Sequence, residues 1–255
     1  MSSMSIKKLL LVCAIVSFFR PCLADGEKNI EAAIKQGVEA RLGGQVASVT
    51  KTPYIGLYEV FRENDVLYTD ENVTVLLAGP LIDATTMTNV TAERLQKLMA
   101  IDFSKLPLNL AIKQVRGNGK HVMATFEDPN CGFCKRLAKD VALLNNVTIY
   151  TFLYPILSPD SLEKSKLIWC SGNRAKAWNE WMLEGKKPEG KSDCDTSAVQ
   201  KSSEIGRSLS ITGVPTMFFS DGQRVSGILT VEKLQQKLFG AKGETGGKRE
   251  KTAGR

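Results

Sequence analysis

The stretch "FEDPNCGFCKRL", residues 126–137, decides how the rest of the chain is read. Two cysteines, Cys131 and Cys134, are separated by Gly132 and Phe133. A pair at this spacing suits a zinc clip, an inert bridge or a redox couple. Its surroundings narrow the choice. Upstream, "HVMATFE" at 121–127 reads as a strand. Downstream, "CGFCKRLAKDVALLNN" at 131–146 reads as a helix burying Leu137, Val141 and Leu144. The pair therefore stands where a strand hands over to the first turn of a helix.

That location has chemical consequences. Free N–H groups and the macrodipole at a helix start favour an anion. A thiolate at Cys131 is stabilised there, and the thiolate is the attacking species in disulfide exchange. Cys134, one turn on, can reach the Cys131 sulfur and is expected to be the more buried. Cys131 then attacks a disulfide and forms a mixed disulfide, which Cys134 resolves. A stabilised thiolate is also a better leaving group, which makes the pair's own disulfide more oxidising. Lys135 and Arg136 are expected to be solvated helix residues.

The compartment decides among the cysteine readings. "MSSMSIKK" is basic and "LLLVCAIVSFF" is apolar but too short to span a bilayer. "PCLA" then offers Ala24 at a cleavage position, so residues 1–24 read as a signal peptide cut before Asp25. Cys13 and Cys22 leave with it. Cys131, Cys134, Cys170 and Cys194 remain, an even set in an oxidising compartment. Four cysteines allow three pairings, and proximity favours Cys131–Cys134, which leaves Cys170–Cys194. A closed zinc site needs four ligands, commonly in two close pairs. Cys170 and Cys194 are 24 positions apart and His121 is the only histidine, so a metal is not expected.

Formal net charge is +7, but the first 24 residues and the tail 241–255 each carry +3. The body is left near +1, with no basic stripe interleaved with aromatics, so nucleic acid is not an expected partner. The tail lacks apolar periodicity and is expected to be disordered.

Residues 27–42 place Ile30, Ala33, Ile34, Val38 and Leu42 on one helix face, and Gly43-Gly44 ends the run. The β-like segments "QVASVT", "YIGLYEVF", "VLYT" and "VTVLL" follow, parted by turns. A unit this small has a thin core, and pairing through its sheet edge would cover unpaired backbone groups. A helix over 91–102, capped by Thr91 and carrying Leu95, Leu98, Met99 and Asp102, is expected as a bridge. "VTIYTFLYPI" at 147–156 reads as a strand, 158–209 as mostly helical, and "PTMFFS" with "RVSGIL" as a hairpin. Thr230 caps a last helix with Val231, Leu234 and Leu238 on one side.

"ITGVPTMFF" carries a second signal, because Pro215 precedes an apolar strand. A trans proline at a strand start is the common case. The order of the cysteine pair, a helical stretch, Val214-Pro215, a hairpin and a helix is similar to redox proteins in which a cis proline lies beside the pair.

Taken together, residues 121–239 resemble a thioredoxin fold with a helical insertion, and the whole chain resembles the DsbC family of periplasmic disulfide isomerases. The carriers are the export signal, the small α/β region, the connecting helix, "PNCGFCKRL", the second pair Cys170/Cys194 and "TGVP". The resemblance implies an α+β N-terminal dimerisation domain over 25–88 and a linker helix over 89–106. An α/β thioredoxin-like domain over 107–240 would follow. It implies a homodimer that handles misfolded disulfide-containing exported proteins, reduced by a membrane electron donor of the DsbD type, with no cofactor. By residue, Cys131 is the nucleophile, Cys134 the resolving thiol, Pro215 the cis proline, and Gly132-Phe133 the tuning dipeptide. Cys170–Cys194 is the structural disulfide. The family dipeptide is usually Gly-Tyr, so Phe133 lacks a hydroxyl, and Val214 replaces a frequent threonine. Thr125 stands where thioredoxins keep a buried acid, which implies that their proton-transfer route is absent. Dithiol oxidation and holdase-type chaperoning are the competing activities. The N-terminal domain, which simple oxidases lack, favours isomerisation.

Overall fold

The computed structural model describes residues 22–240. The tail at 241–255 and all but the last three residues of the expected signal lie outside the described residues. The chain divides into two compact units between Thr91 and Ala92.

In the first unit, helix α1 (Cys22–Leu42) stops at Gly43, whose φ of +68° suits a residue without Cβ. It packs on a four-stranded antiparallel sheet of order β1 (Val46–Lys51), β2 (Tyr58–Arg62), β3 (Asp65–Thr69) and β4 (Leu76–Ala78). Ile34 and Val38 of α1 meet Val46, Tyr58, Val60 and Val73 in its core. The segment expected as one strand from Tyr54 starts only at Tyr58. Residues 52–57 close a turn in which Leu57 N–H donates to the Tyr54 carbonyl at 3.1 Å, and Ile55 is fully exposed. At the far edge, Val75, Leu76 and Leu77 are exposed. A short pair, β5 (Ile82–Asp83) and β6 (Thr88–Asn89), leads into α2 (Val90–Leu98).

Helix α2 corrects two expectations. It ends at Leu98, and Asp102 instead caps the separate 3-10 turn Phe103–Lys105 by accepting from Ser104 N–H at 3.1 Å. Thr91 lies inside the helix. Its buried hydroxyl accepts from Leu81 N–H at 2.8 Å and bonds the Tyr68 hydroxyl at 2.7 Å, so tertiary partners claim the oxygen that was expected to cap.

The second unit is built on a five-stranded sheet of order β11-β10-β8-β9-β7. Its strands are β7 (Ile112–Arg116), β8 (His121–Glu127), β9 (Val147–Leu153), β10 (Thr216–Phe219) and β11 (Arg224–Ser226). β8 and β9 run parallel and the other pairs antiparallel. The parallel pair needs a crossover, and α3 (Gly132–Ala142) supplies it. Met123 on β8 packs with Leu137, Val141 and Leu144, alongside Leu234 of α7 (Val231–Phe239). On the opposite face, Phe126 stacks on Phe152 at 4.7 Å and meets Phe218 and Tyr154 edge-on. Strand β8 is thus buried on both sides, the usual condition of a parallel strand.

Between β9 and β10 lie α4 (Pro159–Cys170), α5 (Arg174–Asn179), a π-helical turn (Glu180–Glu184) and α6 (Ser197–Ser208). Trp169, Trp178, Trp181 and Met182 of this insertion cluster with Val199 of α6 and with both cysteines of the motif. Helix α6 comes close to the sheet because Gly206 leaves room for Tyr154, whose ring would lie 2.6 Å from an added Cβ.

Candidate active site

The site grows from the turn after β8. Asp128 is fully buried, and its Oδ2 accepts the backbone N–H groups of Ile156 and Leu157, both at 2.9 Å. Its Oδ1 accepts Asn130 N–H at 2.8 Å, and its carbonyl accepts Cys131 N–H at 3.0 Å. Trp181 Nε1 donates to the Pro129 carbonyl at 2.6 Å. The Asn130 amide reaches Asp160 at 2.7 Å and the Ser161 hydroxyl at 3.1 Å. A turn held this way aims α3 at a fixed point, with Cys131 as its N-cap.

Cys131 and Cys134 carry free thiols. The Cys131 sulfur accepts Cys134 N–H at 3.2 Å, a donor that supports negative charge there. It also lies 3.5 Å from the Val214 carbonyl oxygen. The Val214–Pro215 bond is cis, so the residues singled out on both sides of the insertion meet. Cys134 is fully inaccessible, whereas Cys131 keeps 4% exposure at the rim. Gly132 and Phe133 face outward, Phe133 at 65%. Ile156, Leu157 and Leu162 are also exposed large apolar residues.

Cys170 and Cys194 are bonded, with Cα atoms 5.6 Å apart. The bridge ties the end of α4 to the loop before α6. The neighbouring Trp169 Nε1 donates to the Asp195 carbonyl at 3.2 Å.

Two features depart from the expected site. Lys135 is not simply solvated: its Nζ lies 4.2 Å from the centroid of Trp181, which Lys164 also approaches at 4.8 Å. Arg136 stays largely exposed and pairs with Asp140. More consequential is Glu127. Thr125 occupies the position read as lacking an acid, and one turns up two residues later on the same face of β8. Thr125 Oγ1 donates to Glu127 Oε1 at 2.7 Å. Glu127 Oε2 is buried without a hydrogen-bond partner. Burial pushes the Glu127 carboxyl up to about 7, against the Thr125 hydrogen bond that pulls it down. Burial also raises Cys134, and the Glu127 charge adds to it.

Two family models match the chain, one to each unit. Residues 108–242 match the model of a thioredoxin-like domain, and residues 25–92 match that of the disulfide bond isomerase protein N-terminal domain. The probable thiol:disulfide interchange protein DsbC of Bordetella parapertussis is 49% identical over 207 residues, covering 81% of this chain and 73% of that protein. The thiol:disulfide interchange protein DsbC of Escherichia coli is 26% identical, over 86% of this chain and 91% of that protein. Among solved structures, a disulfide interchange protein from Neisseria gonorrhoeae is 41% identical, with a TM-score of 0.50 over 52% of this chain and 98% of that one. With a thioredoxin-like domain that sets paired thiols at a helix start, behind the N-terminal domain of disulfide bond isomerases, the chain belongs to the DsbC family of thiol:disulfide interchange proteins.

Proposed function

We propose that this thiol:disulfide interchange protein works as a disulfide isomerase on misfolded exported proteins. Cys131 attacks a non-native disulfide, and Cys134 resolves the mixed disulfide when the substrate does not rearrange first. The observation that supports reshuffling over simple oxidation is the match of residues 25–92 to the disulfide bond isomerase N-terminal domain. The division of labour rests on the asymmetry of the pair, with Cys131 at the rim and an N–H aimed at its sulfur, and Cys134 sealed beneath it. The Val214 carbonyl and cis Pro215 supply backbone beside the attacking sulfur, and Gly132-Phe133 forms the outward face of the pair. Phe133, Ile156, Leu157 and Leu162 are apolar contacts of the kind an unfolded chain offers in return.

The reading extends to export into the periplasm with cleavage after Ala24. It also includes a homodimer formed through the N-terminal domain and reduction by a membrane donor of the DsbD type. The exposed apolar edge at Leu76–Ala78 supports pairing of that domain. Residues 25–88, 89–106 and 107–240 serve as dimerisation domain, linker and catalytic domain, and the Cys170–Cys194 bridge is structural.

The division of labour is tested by trapping. Cys134→Ser, incubated with a protein carrying non-native disulfides, should accumulate mixed disulfides through Cys131. Cys131→Ser should accumulate none. Equal trapping by the two variants would refute the assignment.

A further inference from the structure

We propose that Glu127 accepts the proton of Cys134 as that thiol attacks the mixed disulfide. The inference rests on the reading above, in which Cys134 resolves. A thiol is a poor nucleophile, and Cys134 is closed off from solvent that could take its proton. A base has to be found inside the protein.

The sheet places one there. On β8, Met123, Thr125 and Glu127 share a face, and Met123 packs against Leu137 and Val141 of α3. Cys134, Leu137 and Val141 fall at i, i+3 and i+7, so they form the buried stripe of that helix. The same face that meets Leu137 through Met123 therefore meets the first turn of α3 through Glu127. The pairing register agrees: Glu127 lies opposite Leu153 of β9, and Leu153 packs in one cluster with Cys131 and Cys134. Thr125 holds one carboxyl oxygen, and the other has a free lone pair in a buried setting. An orphaned acceptor is costly to bury and calls for an explanation. A proton taken from Cys134 supplies one.

The step balances. Glu127 carboxylate takes the Cys134 proton, and the new thiolate attacks the Cys131 sulfur. The Cys131–Cys134 bond forms, and the bond from Cys131 to the substrate breaks. The electron pair leaves on the substrate sulfur, which water protonates. The two protein thiols are oxidised and the substrate disulfide is reduced. In the reverse direction Glu127 returns the proton to Cys134.

Other ionisable groups nearby are committed elsewhere. Asp128 gives its carboxylate to backbone N–H groups, and Lys135 and Lys164 lie over the Trp181 ring. Across the sheet, β9 offers Thr151 and Leu153, and β10 offers Met217. On α3 the buried titratable groups are Cys134, with Cys131 at the cap, and Asp140, which pairs with Arg136.

The test uses a nitrobenzoate disulfide whose released thiol is coloured, mixed rapidly with the reduced full chain. Attack by Cys131 releases the first thiol and resolution by Cys134 the second. In Glu127→Gln the first release should be unchanged near neutral pH, and the second should slow by roughly tenfold or more. The wild-type second phase should rise with pH and level off above about 7, an inflection that the variant lacks. A second phase slowed equally at every pH, with the inflection kept, would mean a structural role and overturn the proposal. So would an unchanged second phase. Independently of any variant, the Glu127 carboxyl carbon followed by NMR in the wild type should titrate near 7, and a midpoint at the ordinary 4.5 would also overturn it. If Cys134→Ser traps mixed disulfides while Glu127→Gln resolves normally, the Glu127 role fails alone. If Cys134→Ser traps nothing, the underlying reading fails with it.

Discussion

Glu127 ties stability to pH in a direction unusual for a carboxylate. Its folded-state value is raised from 4.5 to about 7 by burial. Below the ordinary value both folded and unfolded chains hold the proton, and the group contributes no pH dependence. Between 4.5 and about 7 the unfolded chain has lost the proton and the native chain keeps it. Stability therefore falls as pH rises through this window and levels off above it. Glu127→Gln keeps an acceptor for Thr125 and removes the ionisation. It should stabilise the reduced protein by about 3 kcal/mol above the window and by almost nothing below it. Urea unfolding on each side of the window measures this, and an equal gain on both sides would assign the effect to packing instead. The sequence hid this residue for a simple reason. Alternation along β8 puts Thr125 and Glu127 on one face, so the acid stands two residues from the position where thioredoxins keep theirs. Cys131, Cys134, Val214 and Pro215 were legible, because helix-start chemistry and an X–Pro step leave local marks. Trp181 was not, since its bonds to Pro129 and its contact with Lys135 join segments some fifty positions apart.

At the scale of elements, the strand-helix junction at Cys131 depends on what lies beneath and beside it. Asp128 and Trp181 fix the turn, and the insertion from α4 to α6 supplies Trp169, Trp178 and Trp181 around the pair. The Cys170–Cys194 bridge closes a loop of sequence separation 24 within that insertion. Replacing both cysteines by serine should lower unfolding stability by roughly 3 kcal/mol in the chain-entropy model. Trapping through Cys131 should persist under conditions where the variant remains folded. A stable variant with abolished trapping would instead place the bridge in the chemistry. Periodicity identified β8, β9, α3 and α7 because each carries a continuous apolar run or stripe, although in α7 Leu234 alone is fully buried. It missed β7, where only Ile112 is fully buried and Val115 is exposed, so an edge strand looked like a connection. It also overran α2, because the pattern continued through Met99 to Asp102 although the helix stops at Leu98 and Asp102 caps the 3-10 turn that begins at Phe103.

For the whole molecule, the direction of exchange is the decisive property. The two thiols of the motif can oxidise, reduce or reshuffle, and their local geometry is compatible with each. The N-terminal unit, matched at residues 25–92 to the disulfide bond isomerase N-terminal domain, weights the reading toward reshuffling. The most direct measurement is reactivation of a multi-disulfide protein with scrambled bridges, at a fixed glutathione poise, by substoichiometric reduced protein. Wild type should restore native pairing and activity, and Cys131→Ser should not. Recovery confined to fully reduced substrate supplied with the oxidised protein would show a dithiol oxidase and contradict isomerisation.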